Sequence, residues 1–314
     1  MIELVHEEIA VNIKSVGVGG GGTNAVEQMT EERIPMVHYI TINTDDASVH
    51  GSSADLKLQI GQETTQGRGA GSNPEMGYLS ALENTNQIKN AIKDCDMVFI
   101  VAGMGGGTGT GAAPVVAQIA QELGILTVGV VTKPFYFEGN RRMTQAEKGI
   151  AEMEKSVDAI IVIPNDNLKF VVEEKITFNN ALAMADSVLV QTVKNIVEVI
   201  QRTAVVNCDF ADISSVLRAA GHIHTATGVA SGGDKVDTVI EQITASKLLG
   251  TSIDNSTGAL LCITAPGNIG LEEIDRISSV VSSKADQDAN IIFGMDFDDS
   301  TPDQIKVVLI ATTK

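Results

Sequence analysis

The sequence predicts an α/β protein: a doubly wound parallel sheet, joined by a long central helix to a smaller α+β domain. Three observations carry this prediction. Short apolar runs rich in β-branched residues alternate with helix-period segments as far as Pro164, the pattern of a parallel sheet covered on both faces. An unbroken spacing of apolar residues by three and four then runs from Asn179 to Arg202. Beyond Asn207 the regular alternation stops, and helices and strands follow in mixed order. A chain of 314 residues has room for about two domains.

Taken in order, the strand candidates of the first half are Ile13–Val18, Val37–Asn43, Met97–Ala102, Leu126–Val131 and Ala159–Pro164. Each ends at or beside a Gly, Pro, Asn or Thr that breaks the run. Helical spacing marks Ala25–Glu32, Gly77–Lys93, Ala112–Leu123 and Met143–Lys155 between them. In the central helix the apolar stripe is Ala181, Met184, Ala185, Val188, Leu189, Val193, Ile196 and Ile200, with no turn signal inside it. At 1.5 Å per residue this helix is about 36 Å long, enough to cross a domain. The second half offers helices at Ile213–Ala220, Val236–Leu249 and Glu272–Ser283, and strands at Gly258–Thr264, Asn290–Met295 and Ile305–Thr312. The expected division is residues 1–176, a helix over 177–204, and residues 205–314.

Lys and Arg number 22 against 40 Asp and Glu, a formal charge of −18. A surface so negative repels phosphate backbones and anionic lipid, which argues against nucleic-acid partners and direct membrane insertion. Cys95, Cys208 and Cys262 are far apart and form no CxxC, so neither a disulfide framework nor a zinc ribbon is expected, and a reducing compartment fits. The opening MIELVHEEIAVN has no basic residue and does not resemble a signal peptide. No apolar run approaches the ~18 residues of a membrane span. These features predict a cytoplasmic protein.

Two glycine-rich loops hold the chemistry. GVGGGGTNA (Gly17–Ala25) and GMGGGTGTGAAP (Gly103–Pro114) each lie between a strand and a helix. Glycine lets the backbone approach a ligand closely, and the N–H groups of the following helix start then meet phosphate. Two such loops at the ends of parallel strands converge on one crevice. The first alone would also suit a dinucleotide fold, and hence a nicotinamide oxidoreductase. The density of glycine in Gly105–Gly111 is hard to explain by folding alone and points to phosphate. GRGAGSNP (Gly67–Pro74) is a third candidate. There is no GxxxxGK[ST] and no lysine in the first two loops. Phosphate charge would therefore be met by N–H dipoles, by Arg142, and by Mg²⁺ held mainly by phosphate oxygens and water, with no metal ligand set in the protein and Thr108 as a candidate hydroxyl.

Asn207, Asp209 and Asp212 follow the long helix. Acids three apart at a helix start are what capping favours. The same geometry lets two carboxylates and an amide orient a water and accept its proton during attack on a phosphate. Spacing alone leaves both readings open. An HxH at His222 and His224 reads as surface loop histidines, and Cys208 as an apolar filler.

GGGTGTG at Gly105–Gly111 resembles the signature of the tubulin/FtsZ family. So do GVGGGGTNAV, INTD (Ile42–Asp45), GAGSNPE, DMVFIVAGMGGGTGTGAAPVVA, KPFYFEGNRR, IPNDNL, NCDFADI and GVASGGD, in the order and manner of its bacterial cell-division branch, over nearly the whole chain. The resemblance implies a GTP-binding first domain and a GTPase that polymerises head to tail in the bacterial division ring at mid-cell, hydrolysing GTP to GDP on assembly. It implies nucleotide contacts at Gly19, Gly20, Gly21, Asn24, Asn43, Gly71, Gly103, Gly105, Gly106, Gly107, Thr108 and Gly109. Glu138 matches a ribose contact, Arg142 a residue near the phosphates, and Asn165 and Asp186 guanine- or ribose-side residues. A carboxylate at Asp186 can accept from both N1–H and the exocyclic amine of guanine, a donor pair adenine lacks. The acid loop with Asp209 and Asp212 matches one that enters the next subunit's nucleotide site. Membrane tethers and regulators are expected to bind a C-terminal peptide beyond this sequence. Three departures stand out: Leu182 where the family often has Phe against the base, Thr203-Ala204 ahead of the acid loop, and Arg68 in the third loop, read as a solvated side chain. They leave open a paralogue with altered hydrolysis or no role in division.

Overall fold

The computed structural model describes residues 11–170, 177–201, 205–206 and 209–313. In chain order these form β1 (Ile13–Val18), α1 (Gly19–Glu32), β2 (Val37–Asn43), α2 (Asp46–Gly51), β3 (Leu56–Gln59), α3 (Gln62–Thr65), α4 (Pro74–Glu83), α5 (Thr85–Ile92), β4 (Met97–Gly103), α6 (Thr108–Glu122), β5 (Leu126–Lys133), α7 (Asn140–Met153) and β6 (Ala159–Pro164). There follow α8 (Phe178–Gln201), α9 (Phe210–Leu217), β7 (Gly221–Ser231), α10 (Lys235–Thr244), β8 (Ala245–Ser246), β9 (Thr251–Ser252), β10 (Gly258–Ala265), α11 (Leu271–Lys284), β11 (Asn290–Phe297) and β12 (Gln304–Thr312).

The strands of the first half are all parallel, in the order β3-β2-β1-β4-β5-β6. This is the order of dinucleotide-binding sheets, with its switch point between β1 and β4. Burial explains the parallel arrangement: β4 is buried from Met97 to Ala102 and β5 from Leu126 to Thr132, so neither strand has a face for water. One face packs on the helices α4 to α7 through Val98, Ile100, Val116 and Ile160. The other packs on α1 and α8 through Phe99, Val101, Leu189 and Val193.

The second half does not form a separate sheet. β7 joins β6 through Ala159↔Gly221 and Ile160↔His222, then pairs antiparallel with β12 over Ile223–Ser231. β10 follows β12 antiparallel and β11 follows β10 parallel, so one ten-stranded sheet runs through both halves. GHIHTATGVAS gives little strand signal, because its glycines and alanines interrupt the β-branched residues and leave no apolar run. Pairing on both sides overrides that. His222 and His224 are therefore strand residues and not loop residues. His222 Nε2 lies 2.8 Å from Glu154, and His224 is fully buried between Thr251 Oγ1 (3.0 Å) and the carbonyl of Ile243 (2.9 Å). Burial lowers the His224 pKa and keeps the ring neutral.

Other boundaries moved for local reasons. Gly77–Lys93 is two helices, because Asn84 turns its side-chain oxygen to the N–H of Gly61 (2.7 Å). Val236–Leu249 ends at Thr244, where Ala245-Ser246 pairs with Thr251-Ser252. The central helix runs Phe178–Gln201 and buries Ala181, Ala185, Leu189, Val193 and Ile196. Lys194 reaches Glu32 of α1 (2.8 Å) and Glu198 reaches Lys306 of β12 (2.7 Å), so α8 is clasped to both halves.

Candidate functional site

The two glycine loops meet at the switch point. α1 starts at Gly19, directly after β1, and α6 starts at Thr108, after the turn that follows β4. Neither start has a side-chain cap, and neither has an acid in its first turn. The orphan N–H groups of two helices therefore open on one crevice, an arrangement that suits a polyanion. Gly19 has φ +72°, and an added Cβ there would stand 2.6 Å from the N of Gly109, so the two loops touch.

The glycines divide by what surrounds them. A Cβ on Gly107 would lie 2.7 Å from Ala70 Cβ, on Gly109 2.8 Å from the carbonyl of Gly103, and on Gly111 1.9 Å from that of Pro74. At Gly105 it would lie 2.8 Å from the carbonyl of Arg142, and the Gly105 N–H is taken by Thr110 Oγ1 (2.8 Å). Much of Gly105–Gly111 is therefore required by close helix packing, contrary to the expectation that folding alone could not explain it. Gly20 and Gly71 face open space, Gly106 meets only the Arg142 guanidinium at 4.0 Å, and Gly21 faces Gly103 at 3.2 Å. The expected outcome is a clean split. Gly111→Ala loses about 3 kcal/mol or more of stability, or yields no soluble protein. Gly20→Ala melts like the wild type but binds nucleotide at least about tenfold more weakly. Thermal melts and a nucleotide titration read both.

Side chains complete the crevice. Arg142 Nη1 is 2.6 Å from Glu138 Oε2, and Glu138 Oε1 accepts the N–H of Phe135 (2.9 Å). Glu138 thus holds Arg142 beside the second loop. Asn43 is buried, its oxygen accepting from the N–H of Thr44 (2.8 Å), so its amide shapes the turn after β2. Thr108 is buried, with its hydroxyl 2.6 Å from that of Thr44, which the sequence marks only as part of INTD and not as a site residue. Arg68 is exposed.

Asp186 stands on α8 opposite Asn24 of α1, which donates to it. Burial pushes its carboxyl up to about 6, and the Asn24 hydrogen bond only partly opposes this. Asn165, just after β6, is 5% exposed and its Oδ1 has no hydrogen-bond partner among the described residues. A buried acceptor without a donor is costly, and a bound base or sugar would satisfy it. Leu182, one turn before Asp186, is 56% exposed. The crevice therefore has an anion-binding end and an acceptor-rich end, which fits a nucleotide.

Asp209 and Asp212 form a reciprocal capping box at α9. Asp209 accepts from the N–H of Asp212 (2.8 Å) and Asp212 from that of Asp209 (3.2 Å). Asp209 is exposed and Asp212 half-exposed. They lie at the wrong end of the sheet for their own crevice. Arg218, just after α9, bonds the carbonyl of Gly124 (3.4 Å) and faces Asp158 (4.0 Å), the residues that lead into β5 and β6. The glycine loops stand at the opposite strand ends, ~26 Å away for a strand the length of β5. Asn207, Cys208 and Thr203-Ala204 fall outside the described residues. Cys95 is unreactive in character, with burial pushing its thiol up to about 11. Among the described residues no group of three His, Cys, Asp or Glu could hold a metal, and no helix is long and apolar enough to cross a membrane.

Comparison with known proteins agrees with this geometry. The model of the Tubulin/FtsZ family, GTPase domain, matches residues 12–173, and that of the FtsZ family, C-terminal domain, matches residues 221–313. The chain is similar to an empty FtsZ dimer from M. jannaschii at 38% identity and a TM-score of 0.88, over 98% of this chain and 89% of that one. A mutant FtsZ structure from the same organism gives 39% identity and 0.85, over 96% and 90%. CetZ2 from Haloferax volcanii, a GTPγS-bound protofilament, shares the fold at a TM-score of 0.80 and 18% identity, over 96% and 92%. The nicotinamide oxidoreductase suggested by the first loop alone is set aside. This chain belongs to the tubulin/FtsZ family of GTPases.

Proposed function

We propose that this protein is a self-assembling GTPase in which each hydrolysis site is completed by the acid loop of the next copy. The observation that carries the reading is the separation of Asp209 and Asp212 from their own crevice by the full depth of the sheet. GTP would lie with its phosphates at the starts of α1 and α6, near Arg142 and Thr108, and its guanine against Asp186, Asn165 and Leu182. The paired acids, with Asn207, would orient a water and take its proton. Asp45 is engaged in capping Ser48, and Glu138 in holding Arg142, so the site offers Mg²⁺ no ready carboxylate cluster. The ion would be held by phosphate and water, and when bound it would neutralise charge on the transferred phosphoryl group. The likeness to FtsZ across both domains supports a filament-forming role in cell division, and the proposal carries with it a cytoplasmic filament at the mid-cell division ring.

The test is phosphate release per molecule across protein concentration. It should stay near zero in dilute solution and rise above a threshold where the protein begins to pellet. A rate per molecule that does not change over the assembly range overturns the reading. At the base end, Leu182→Phe should tighten GTP binding about two- to tenfold by adding an aromatic face, the equivalent of ~0.5–1.5 kcal/mol, as read by nucleotide titration.

A further inference from the structure

Thr44 is fully buried, yet it is held at every polar atom. Its N–H donates to Asn43 Oδ1 (2.8 Å). Its carbonyl accepts from the N–H of Gly69 (3.2 Å) and from Thr65 Oγ1 (3.3 Å). Its hydroxyl has one partner among the described residues, Thr108 Oγ1 at 2.6 Å. Two hydroxyls at this distance share one hydrogen bond, and the choice of donor decides what Thr108 presents to a ligand.

If Thr108 donated, the proton of Thr44 would be buried with no acceptor, which costs the full desolvation of that group. If Thr44 donates, every proton is used. Thr108 then accepts from behind, and its own O–H is free to turn into the crevice. A hydroxyl held this way is a donor aimed at an anion, and its bond to a charged oxygen is of the stronger kind. Position puts the pair among the phosphate-binding loops. The Thr44 carbonyl anchors the third glycine loop at Gly69, and Gly107 packs on Ala70 of that loop, so the pair sits where the second and third glycine loops meet.

We propose that Thr44 is a positioning residue that fixes Thr108 as a hydrogen-bond donor to the terminal phosphate of GTP. This rests on the guanine-nucleotide reading above and deepens it. Thr44 touches no substrate. It acts through Thr108, and so favours GTP over GDP.

The experiment measures binding of GTPγS and GDP, separately, to wild type, Thr44→Val, Thr44→Ser, Thr108→Val and the double valine variant. Valine keeps the shape of threonine and removes the hydroxyl. Thr44→Val should bind GDP as the wild type does but lose about tenfold in GTPγS affinity. Thr44→Ser should restore it. In the Thr108→Val background, Thr44→Val should have no further effect, because the group it positions is gone. Equal loss of both nucleotides, additive losses in the double variant, or no loss at all overturns the proposal. If Thr44→Val does not fold, Thr44→Ala replaces it in the same cycle. Wild type that binds no guanine nucleotide would instead overturn the underlying reading.

Discussion

Asp212→Asn is expected to bind GTP as tightly as the wild type and to hydrolyse it at least about a hundredfold more slowly, the usual scale for removing a general base. The substitution is chosen for the capping box. Asp212 accepts from the N–H of Asp209, and an asparagine oxygen can do the same. Alanine would remove cap and base together and leave the loss ambiguous. With Asn the melting temperature should stay within about 2 °C, so any fall in turnover belongs to the lost charge. A stronger form mixes two inactive variants. Asp212→Asn keeps its crevice, and Asp186→Ala keeps its acid loop. If sites form between copies, the mixture regains turnover that neither has alone. If each chain serves its own crevice, the mixture stays dead.

Asp186→Asn is expected to cost about a hundredfold or more in GTP affinity while making the nucleotide-free protein more stable. In the proposed pose the carboxylate would accept from two guanine donors, and bonds to charged groups contribute about 1.5–3 kcal/mol each. Yet burial has raised its pKa from an ordinary 3.8 to about 6, so the fold disfavours the charged form. For a raised carboxyl the sign is clear. Its contribution to stability is fully present below the ordinary value and is lost as pH rises through about 6. Asparagine carries no such cost, and the melting temperature at neutral pH should rise by about 2–4 °C. The wild type should show opposite trends across this window. As pH falls below about 6, GTP affinity drops, because a protonated acid no longer accepts twice, while the Asp186 contribution to stability recovers. Titration and melting between pH 5 and 7.5 read both. Affinity that is flat across that range would rule out Asp186 as the base contact.

How far the sequence was legible depends on where each signal lies. The strands β1, β2, β4, β5 and β6 were readable because strands buried on both faces tolerate little but apolar residues. α8 was readable because one stripe faces both halves of the core. The starts of α1 and α6 were not, since glycines with poor helix propensity begin both helices and are kept there by close packing. β7 was hidden because partners on both sides, and not its own residues, make it a strand. The capping reading of Asp209 and Asp212 was right as structure, and it coexists with the catalytic one because both need exposed acids at a helix start. Thr44 was legible only as a member of the INTD motif, not in its role. Its partner Thr108 is 64 residues away, and only the fold brings the two hydroxyls together.

The 24-residue helix α8 also sets a ruler. Its first turns border the proposed base site, and its far end leads in sequence toward the acid loop. Copies stacked so that acids meet nucleotide should therefore repeat at roughly the length of that rod, on the order of 36 Å or a little more. Electron micrographs of the polymer should show this axial period. Because top and bottom of each copy differ, the two tips of the proposed fibre would be unlike: one would bare an unhydrolysed triphosphate, the other a pair of acids with nothing to act on.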